Sequence, residues 1–176
     1  MMKPADLEDL TLFLLRDADE AEMWIDRWLV SYPIVAYAQC SASQSLPEQR
    51  QQVAQAFAGI DSDNVMVVAH GAAVAAFMSW YGTLSMQQQR RVRVVMLVAP
   101  LQSACQSDAV RYVSLMCAKA ALVIGREDEE CPQSWAAEQA ALWGARLLMS
   151  PHCGHLNGTL GGWQWGSKLM QEMLLA

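Results

Sequence analysis

An α/β fold is predicted, with three layers (αβα) about a six-stranded parallel sheet. Three observations carry the prediction. Six short apolar runs alternate with amphipathic stretches at close intervals. The runs are nearly free of polar residues, as strands covered on both faces are. The 176 residues are 53% hydrophobic and only 17% charged, which suits a packed core and excludes a disordered chain. With no repeat, low-complexity tract or linker, one domain over residues 1–176 is expected.

The elements follow in order. The strand runs are Thr11–Leu15, Ile34–Ala38, Val65–Ala69, Val92–Val98, Ala121–Ile124 and Arg146–Met149. Between them, Ala21–Val30 sets Trp24 and Trp28 four apart on one helical face, a pairing expected to be core. Pro47–Ala58 opens with proline in the first turn, where its missing N–H costs nothing. Ala72–Tyr81, Ser107–Met116, Pro132–Trp143 and Gly166–Leu175 complete the helices.

Charge and cysteine usage narrow the function. A net charge of −6 repels phosphate backbones, so no nucleic-acid partner is expected. The basic cluster Arg90-Arg91-Val92-Arg93 reads as a solvated strand entry. No apolar run reaches membrane-spanning length, so no membrane partner is expected either. The acidic start, with Asp6, Glu8 and Asp9, lacks the pattern of a secretory leader, and the expected location is the cytoplasm. The five cysteines form no C-x-x-C pair, which fits reduced thiols. A metal would need Cys131, Cys153, His152 and His155 to converge, and no metal or cofactor is expected.

In open parallel sheets, function gathers at the carboxyl ends of the strands. Those ends carry Arg16-Asp17, Gln39-Cys40, His70-Gly71, Pro100-Leu101-Gln102, Gly125 to Asp128, and Ser150 to Asn157. The stretch "VMVVAHGAAVAAFM" is an apolar strand, a tight turn and an apolar helix, the setting in which a hydrolase presents a nucleophile. Asp128, after "LVIGRED", and His155, in "SPHCGHLNG", follow in the order acid then histidine. Gly125 is read as turning the chain out of its strand, and Gly154 as letting His155 swing over the sheet end. The nucleophile position falls on Gly71, which has no side chain.

These motifs resemble the small serine hydrolases typified by retinoblastoma-binding protein 9 and its bacterial relatives. The family's H-S-x-G elbow is similar to His70-Gly71-Ala72-Ala73, and its "LVAP" strand end to Leu97-Val98-Ala99-Pro100. Its N-D-P-x-C acid loop resembles Glu127-Asp128-Glu129-Glu130-Cys131. The helix ending in "WGARL" is matched by Trp143 to Leu147, and the G-H-[IL]-N loop by Gly154-His155-Leu156-Asn157 with Gly161-Gly162-Trp163. Near the start, E-H-W-x-x-x-W is similar to Glu22-Met23-Trp24 and Trp28.

The resemblance implies a minimal α/β-hydrolase fold with Gly71, Asp128 and His155 at the three triad positions. It also implies a pocket about His70, Ala72, Asn157 and Trp163. Two departures bear on activity. Glycine offers no oxygen or sulfur for an acyl-enzyme. The family's Pro-Gly turn after the first strand is replaced by Leu14-Leu15-Arg16-Asp17. The expected function is a catalytically impaired, esterase-like relative binding a small molecule or a protein. The alternatives are an active carboxylesterase or amidase using His155 and Asp128 with another nucleophile, and a structural or assembly role. Neither Cys131 nor Cys153 is expected to take the nucleophile's place.

Overall fold

The computed structural model describes residues 2–117 and 119–175. Six parallel strands form one sheet: β1 (Thr11–Asp17), β2 (Val35–Cys40), β3 (Val65–His70), β4 (Val92–Val98), β5 (Lys119–Arg126) and β6 (Arg146–Cys153), in the order β2-β1-β3-β4-β5-β6. Helices α1 (Pro4–Glu8), α2 (Trp24–Ser31), α3 (Leu46–Ala58), α4 (Ala72–Tyr81), α5 (Met86–Gln89), α6 (Asp108–Arg111), α7 (Gln133–Trp143) and α8 (Gln164–Leu175) connect and cover it. This is the α/β-hydrolase arrangement the sequence predicts. No described helix is long and apolar enough to cross a membrane.

Alternation along the strands divides the core. Phe13, Leu15, Val65, Val67 and Ala69 point to the face covered by α3 and α4. Leu12, Leu14, Met66 and Val68 point to the other, which they share with Trp24 and Trp28 of α2, Trp163 just before α8, and Met170 of α8. The two tryptophans of α2 are core, as expected, at 0% and 3% exposure. All ten residues of α4 are buried, so the helix after the Gly71 turn is the most enclosed in the molecule's described part.

Several boundaries differ from those predicted. β1, β5 and β6 run on through Arg16-Asp17, Gly125-Arg126 and Ser150 to Cys153, because backbone pairing does not depend on side-chain polarity. The helix expected over Ala21–Val30 starts only at Trp24. The Glu20 and Ala21 carbonyls accept from the Arg16 guanidinium at 3.0 and 2.7 Å, and Asp26 Oδ2 accepts from the Met23 N–H at 2.9 Å. The helix expected over Ser107–Met116 shrinks to one turn. Its later backbone is tied elsewhere: Leu115 N–H donates to the Trp143 carbonyl at 2.9 Å and Met116 N–H to Tyr81 Oη at 3.0 Å.

α3 forms where its caps dictate. Ser45 Oγ accepts the Glu48 N–H at 3.3 Å and Glu48 Oε2 accepts the Ser45 N–H at 3.1 Å, a reciprocal capping box ahead of Pro47.

Strand order reverses between β1 and β3, so their carboxyl ends border the crevice where open α/β sheets place ligands. In the pairing register Leu15 lies beside Ala69. Two residues further on, Asp17 comes level with Gly71, on the same face as Leu15.

Candidate functional site

Gly71 stands at the tip between β3 and α4 with φ +58° and ψ −126°. An L side chain rarely adopts that backbone conformation, and sharp strand-to-helix elbows hold their tip residue in it under strain. The elbow is therefore formed, with glycine at its apex.

The space above it is filled. Asp17, at the end of β1, is 3% exposed, and its Oδ2 accepts the Ala72 N–H at 2.8 Å. A Cβ built on Gly71 would run into Asp17 Oδ2, with Asp17 Cβ and Cγ both at 3.1 Å. The other oxygen, Oδ1, accepts the Asp19 N–H at 2.9 Å, so neither carboxylate oxygen is without a partner. Two effects favour this placement: a free N–H at the first position of α4, and the partial positive charge of a helix N-terminus. In an acyl-transferring hydrolase, the N–H of the residue after the nucleophile belongs to the oxyanion hole. Here an internal carboxylate occupies it.

Asp17 is held in turn by the loop that follows. Arg16 is 7% exposed and forms a two-pronged ion pair with Asp26, Nε to Oδ1 at 2.8 Å and Nη2 to Oδ2 at 3.1 Å. Its Nη1 donates to the Asp17 carbonyl at 2.7 Å. Burial lowers the guanidinium's pKa, but the bonded Asp26 outweighs it and the net direction is upward. One buried cation thus fixes residues 17–21 against α2.

His155 and Asp128 meet. Asp128 Oδ2 lies 2.8 Å from His155 Nδ1, and a carboxylate can only accept, so Nδ1 carries the proton. Asp128 Oδ1 accepts the Glu130 N–H at 3.0 Å, which pins the acid loop. Burial depresses His155, but its bond to Asp128 and the charges of Asp128, Glu130 and Glu20 carry the net shift upward. The opposite nitrogen, Nε2, is buried and has no hydrogen-bond partner. It lies 3.4 Å from Glu130 Oε2 and 3.6 Å from Glu20 Oε1.

Among the residues expected around a pocket, His70, Ala72 and Trp163 are 0%, 0% and 1% exposed. His70 and Ala72 back the site from inside. His70 Nε2 lies 3.1 Å from the His155 carbonyl, and its Nδ1 is buried without a partner. Burial, and then the nearby His155, push His70 down to about 3, so it stays neutral. Asn157 is half-buried, and its Nδ2 donates to Glu20 Oε2 at 3.3 Å. A cavity of about 420 Å³ takes Trp163 in its wall with Trp28, Tyr32 and Ser167, but not Gly71, Asp128 or His155.

The loops that bring these groups together are strained. Ala99, Glu127 and Leu156 hold φ of +45°, +59° and +52° just beyond β4, β5 and β6. Trp24 Nε1 donates to the Leu156 carbonyl at 2.8 Å and ties α2 to the residue after His155. Gly125 has a different reason from the one expected: the strand runs straight through it. A Cβ there would strike the Gly154 carbonyl oxygen, with the His152 carbonyl at 3.2 Å. Gly154 turns the chain as expected, with φ +83°.

Sequence reasoning missed Asp17, Glu20 and Glu130 as site residues. The parallel pairing of β1 with β3 was the available signal for Asp17; Glu20 arrives only through the Arg16 loop. Cys131 is buried with its thiol pushed up, first by desolvation and then by Asp128, so it is a poor nucleophile.

A family model for serine hydrolases matches residues 17–172. Among solved structures, the chain is similar to a YdeN-like hydrolase from Pectobacterium atrosepticum, at 18% identity and a TM-score of 0.82, over 97% of this chain and 93% of that one. It is similar to the ydeN gene product of Bacillus subtilis at 13% identity and a TM-score of 0.69, over 94% and 99%. Carboxylesterase CesB (YbfK) from Bacillus subtilis aligns at 10% identity and a TM-score of 0.60, over 93% and 83%. At such identities the likeness is one of fold. No curated protein sequence matches the chain.

Proposed function

The chain belongs to the serine hydrolase family, and from that premise we propose that it is a member that forms no acyl-enzyme and uses the former active site to bind a ligand. The reading places it with the small relatives of retinoblastoma-binding protein 9, in the reducing cytoplasm that its free cysteines suit. One observation carries it. The Asp17 carboxylate stands in the volume a nucleophilic side chain needs and holds the Ala72 N–H that would stabilise an oxyanion. We read the absent serine and the absent first-loop glycine as coupled, because the Asp17 side chain fills the space that a side chain at 71 would need.

The pairing of His155 with Asp128 favours a second reading, slow hydrolysis by water activated at Nε2. Triad enzymes stripped of a member keep roughly 10³–10⁴ over water, much of it from the oxyanion hole. With that hole occupied by a carboxylate, the residue of catalysis shrinks further. A single assay decides. The protein is incubated with a fluorophosphonate probe and short-chain nitrophenyl esters. No labelling and no turnover above buffer are expected, and either one would overturn the non-acylating reading.

A further inference from the structure

We propose that the chain carries a second binding site, for a small organic carboxylate with an apolar body, in the cavity between α2 and the start of α8. The triad positions take no part in it, since the cavity of about 420 Å³ has neither Gly71, Asp128 nor His155 in its wall. Gly162 and Trp163 do stand there, from the Gly161-Gly162-Trp163 stretch that the triad leaves without a task.

The wall is built from donors. Arg27 of α2 lines the cavity, and its guanidinium makes no hydrogen bond or ion pair with any described residue. Its Nη1 lies over the glycine pair, 3.8 Å from where a Cβ would stand on Gly161 or on Gly162. Trp28 Nε1 donates to the Gly162 carbonyl at 3.1 Å and holds that backbone in place. Tyr32 Oη and Ser167 Oγ lie 3.0 Å apart, and one bond between two hydroxyls leaves a second hydrogen to give. Trp163 is 1% exposed, and its indole N–H is buried with no acceptor. A buried donor left so is costly, and an acceptor bound in the cavity supplies what the protein does not.

The start of α8 favours the same occupant. Its first helical bond runs from the Ser167 N–H to the Trp163 carbonyl at 3.1 Å, and no described side chain accepts the N–H groups of Gln164, Trp165 and Gly166. The first turn carries no acidic residue. Free N–H groups and the positive end of a 12-residue helix attract an anion. No carboxylate lines the cavity, although the chain's net charge is −6. One guanidinium matches one carboxylate, to which its fork offers two parallel N–H groups. A phosphate dianion brings a second charge, for which the wall holds no second cation. Trp28, Leu160 and Trp163 supply the apolar surface for the body of the ligand.

The test titrates nitrogen-labelled full-length protein with sodium benzoate at constant ionic strength, followed by magnetic resonance, with sodium acetate and inorganic phosphate for comparison. Saturable one-to-one binding is expected. It shifts the Gln164, Trp165 and Gly166 amides and the Trp163 indole N–H, the last identified by its loss in Trp163→Phe. Acetate, which lacks the ring, needs about tenfold more to shift the same resonances. Arg27→Gln weakens benzoate binding about tenfold or more, and Tyr32→Phe about two- to tenfold. Lys168→Gln, at an exposed cation next to Ser167 but outside the cavity wall, leaves it unchanged, and so does His155→Gln. Absence of saturable shifts at residues 164–166, or tighter binding of phosphate than of benzoate, overturns the proposal. So does binding that survives Arg27→Gln, or binding lost with Lys168→Gln or His155→Gln. Fluorophosphonate labelling reports on the non-acylating reading alone, so the two can fail separately.

Discussion

His155 Nδ1 and Asp128 Oδ2 stand 2.8 Å apart, a base and its orienting acid assembled beside an elbow with no nucleophile. At that elbow residue 71 carries no side chain, and Asp17 holds the Ala72 N–H.

Restoring the serine alone will not restore chemistry. Gly71→Ser places its Cβ against Asp17 Oδ2 and puts a side chain at φ +58°, a backbone cost of about 1–3 kcal/mol. We expect a lower melting temperature and no fluorophosphonate labelling. The double variant Asp17→Gly/Gly71→Ser frees both the volume and the Ala72 N–H. It should label, and turn over nitrophenyl acetate at least about a hundredfold faster than either single variant. An inert but folded double variant would show that His155 is not aligned with the elbow.

Arg16 should matter more than an ordinary surface arginine. Its Arg16→Leu variant strands the Asp26 carboxylate, leaves the Glu20 and Ala21 carbonyls without the guanidinium, and leaves the Asp17 carbonyl only the Glu20 N–H. The side chains are 9% and 27% exposed, and the loss should be about 3 kcal/mol by urea denaturation. Hydrogen exchange in residues 18–23 should accelerate more than in the strands. Uniform behaviour across the chain would argue against a local staple.

Trp24 Nε1 donates to the Leu156 carbonyl and links α2 to the residue after His155, while Trp28 Nε1 reaches the Gly162 carbonyl further along the loop. Trp24→Phe keeps the aromatic packing and orphans the buried Leu156 carbonyl. A loss of about 1–3 kcal/mol is expected, with shifts in the His155 ring resonances. An unchanged His155 spectrum would show that the loop holds its shape without the Trp24 bond.

Alkaline stability reports on the buried thiols. Burial raises Cys40 and Cys105 from 9.0 to about 12, Asp17 adding to the effect at Cys40. The unfolded chain releases these protons near pH 9, whereas the folded chain keeps them. Their contribution is complete below pH 9 and is lost as pH rises toward 12. Each thiol then lowers stability by about 1.36 kcal/mol per pH unit. Urea midpoints should begin to fall above pH 9, and Cys40→Ala should flatten the slope. A slope unchanged in Cys40→Ala would remove that residue from the account.

Much of the fold was legible in the sequence because its strands are buried on both faces. Runs such as Val65–Ala69 and Val92–Val98 have no other reading, and the turn at Gly71 announces itself between strand and helix. Strand ends were not legible, since Arg16, Asp17 and Ser150 to Cys153 pair through backbone that carries no side-chain signature. Asp128 and His155 could be named from order and strand position. Asp17 escaped because its meaning lies in a neighbouring strand. Only the register of β1 against β3 shows that a carboxylate replaces the elbow's side chain. Glu20 escaped for a similar reason, its place depending on a loop shaped by Arg16.

The exclusion between Asp17 and any side chain at 71 also sets an order of events. Suppose the starting state has serine at 71 and the glycine that the resemblance implies in the first loop. Two single-change routes then lead to the present pair. Acquiring the aspartate first drives its carboxylate into the serine Cβ. Losing the serine first passes through a chain with glycine at both places, which folds without conflict. On that supposition the oxygen leaves before the carboxylate arrives. With Asp17 settled on the Ala72 N–H, one substitution would no longer suffice to return, and such a loss would act as a ratchet.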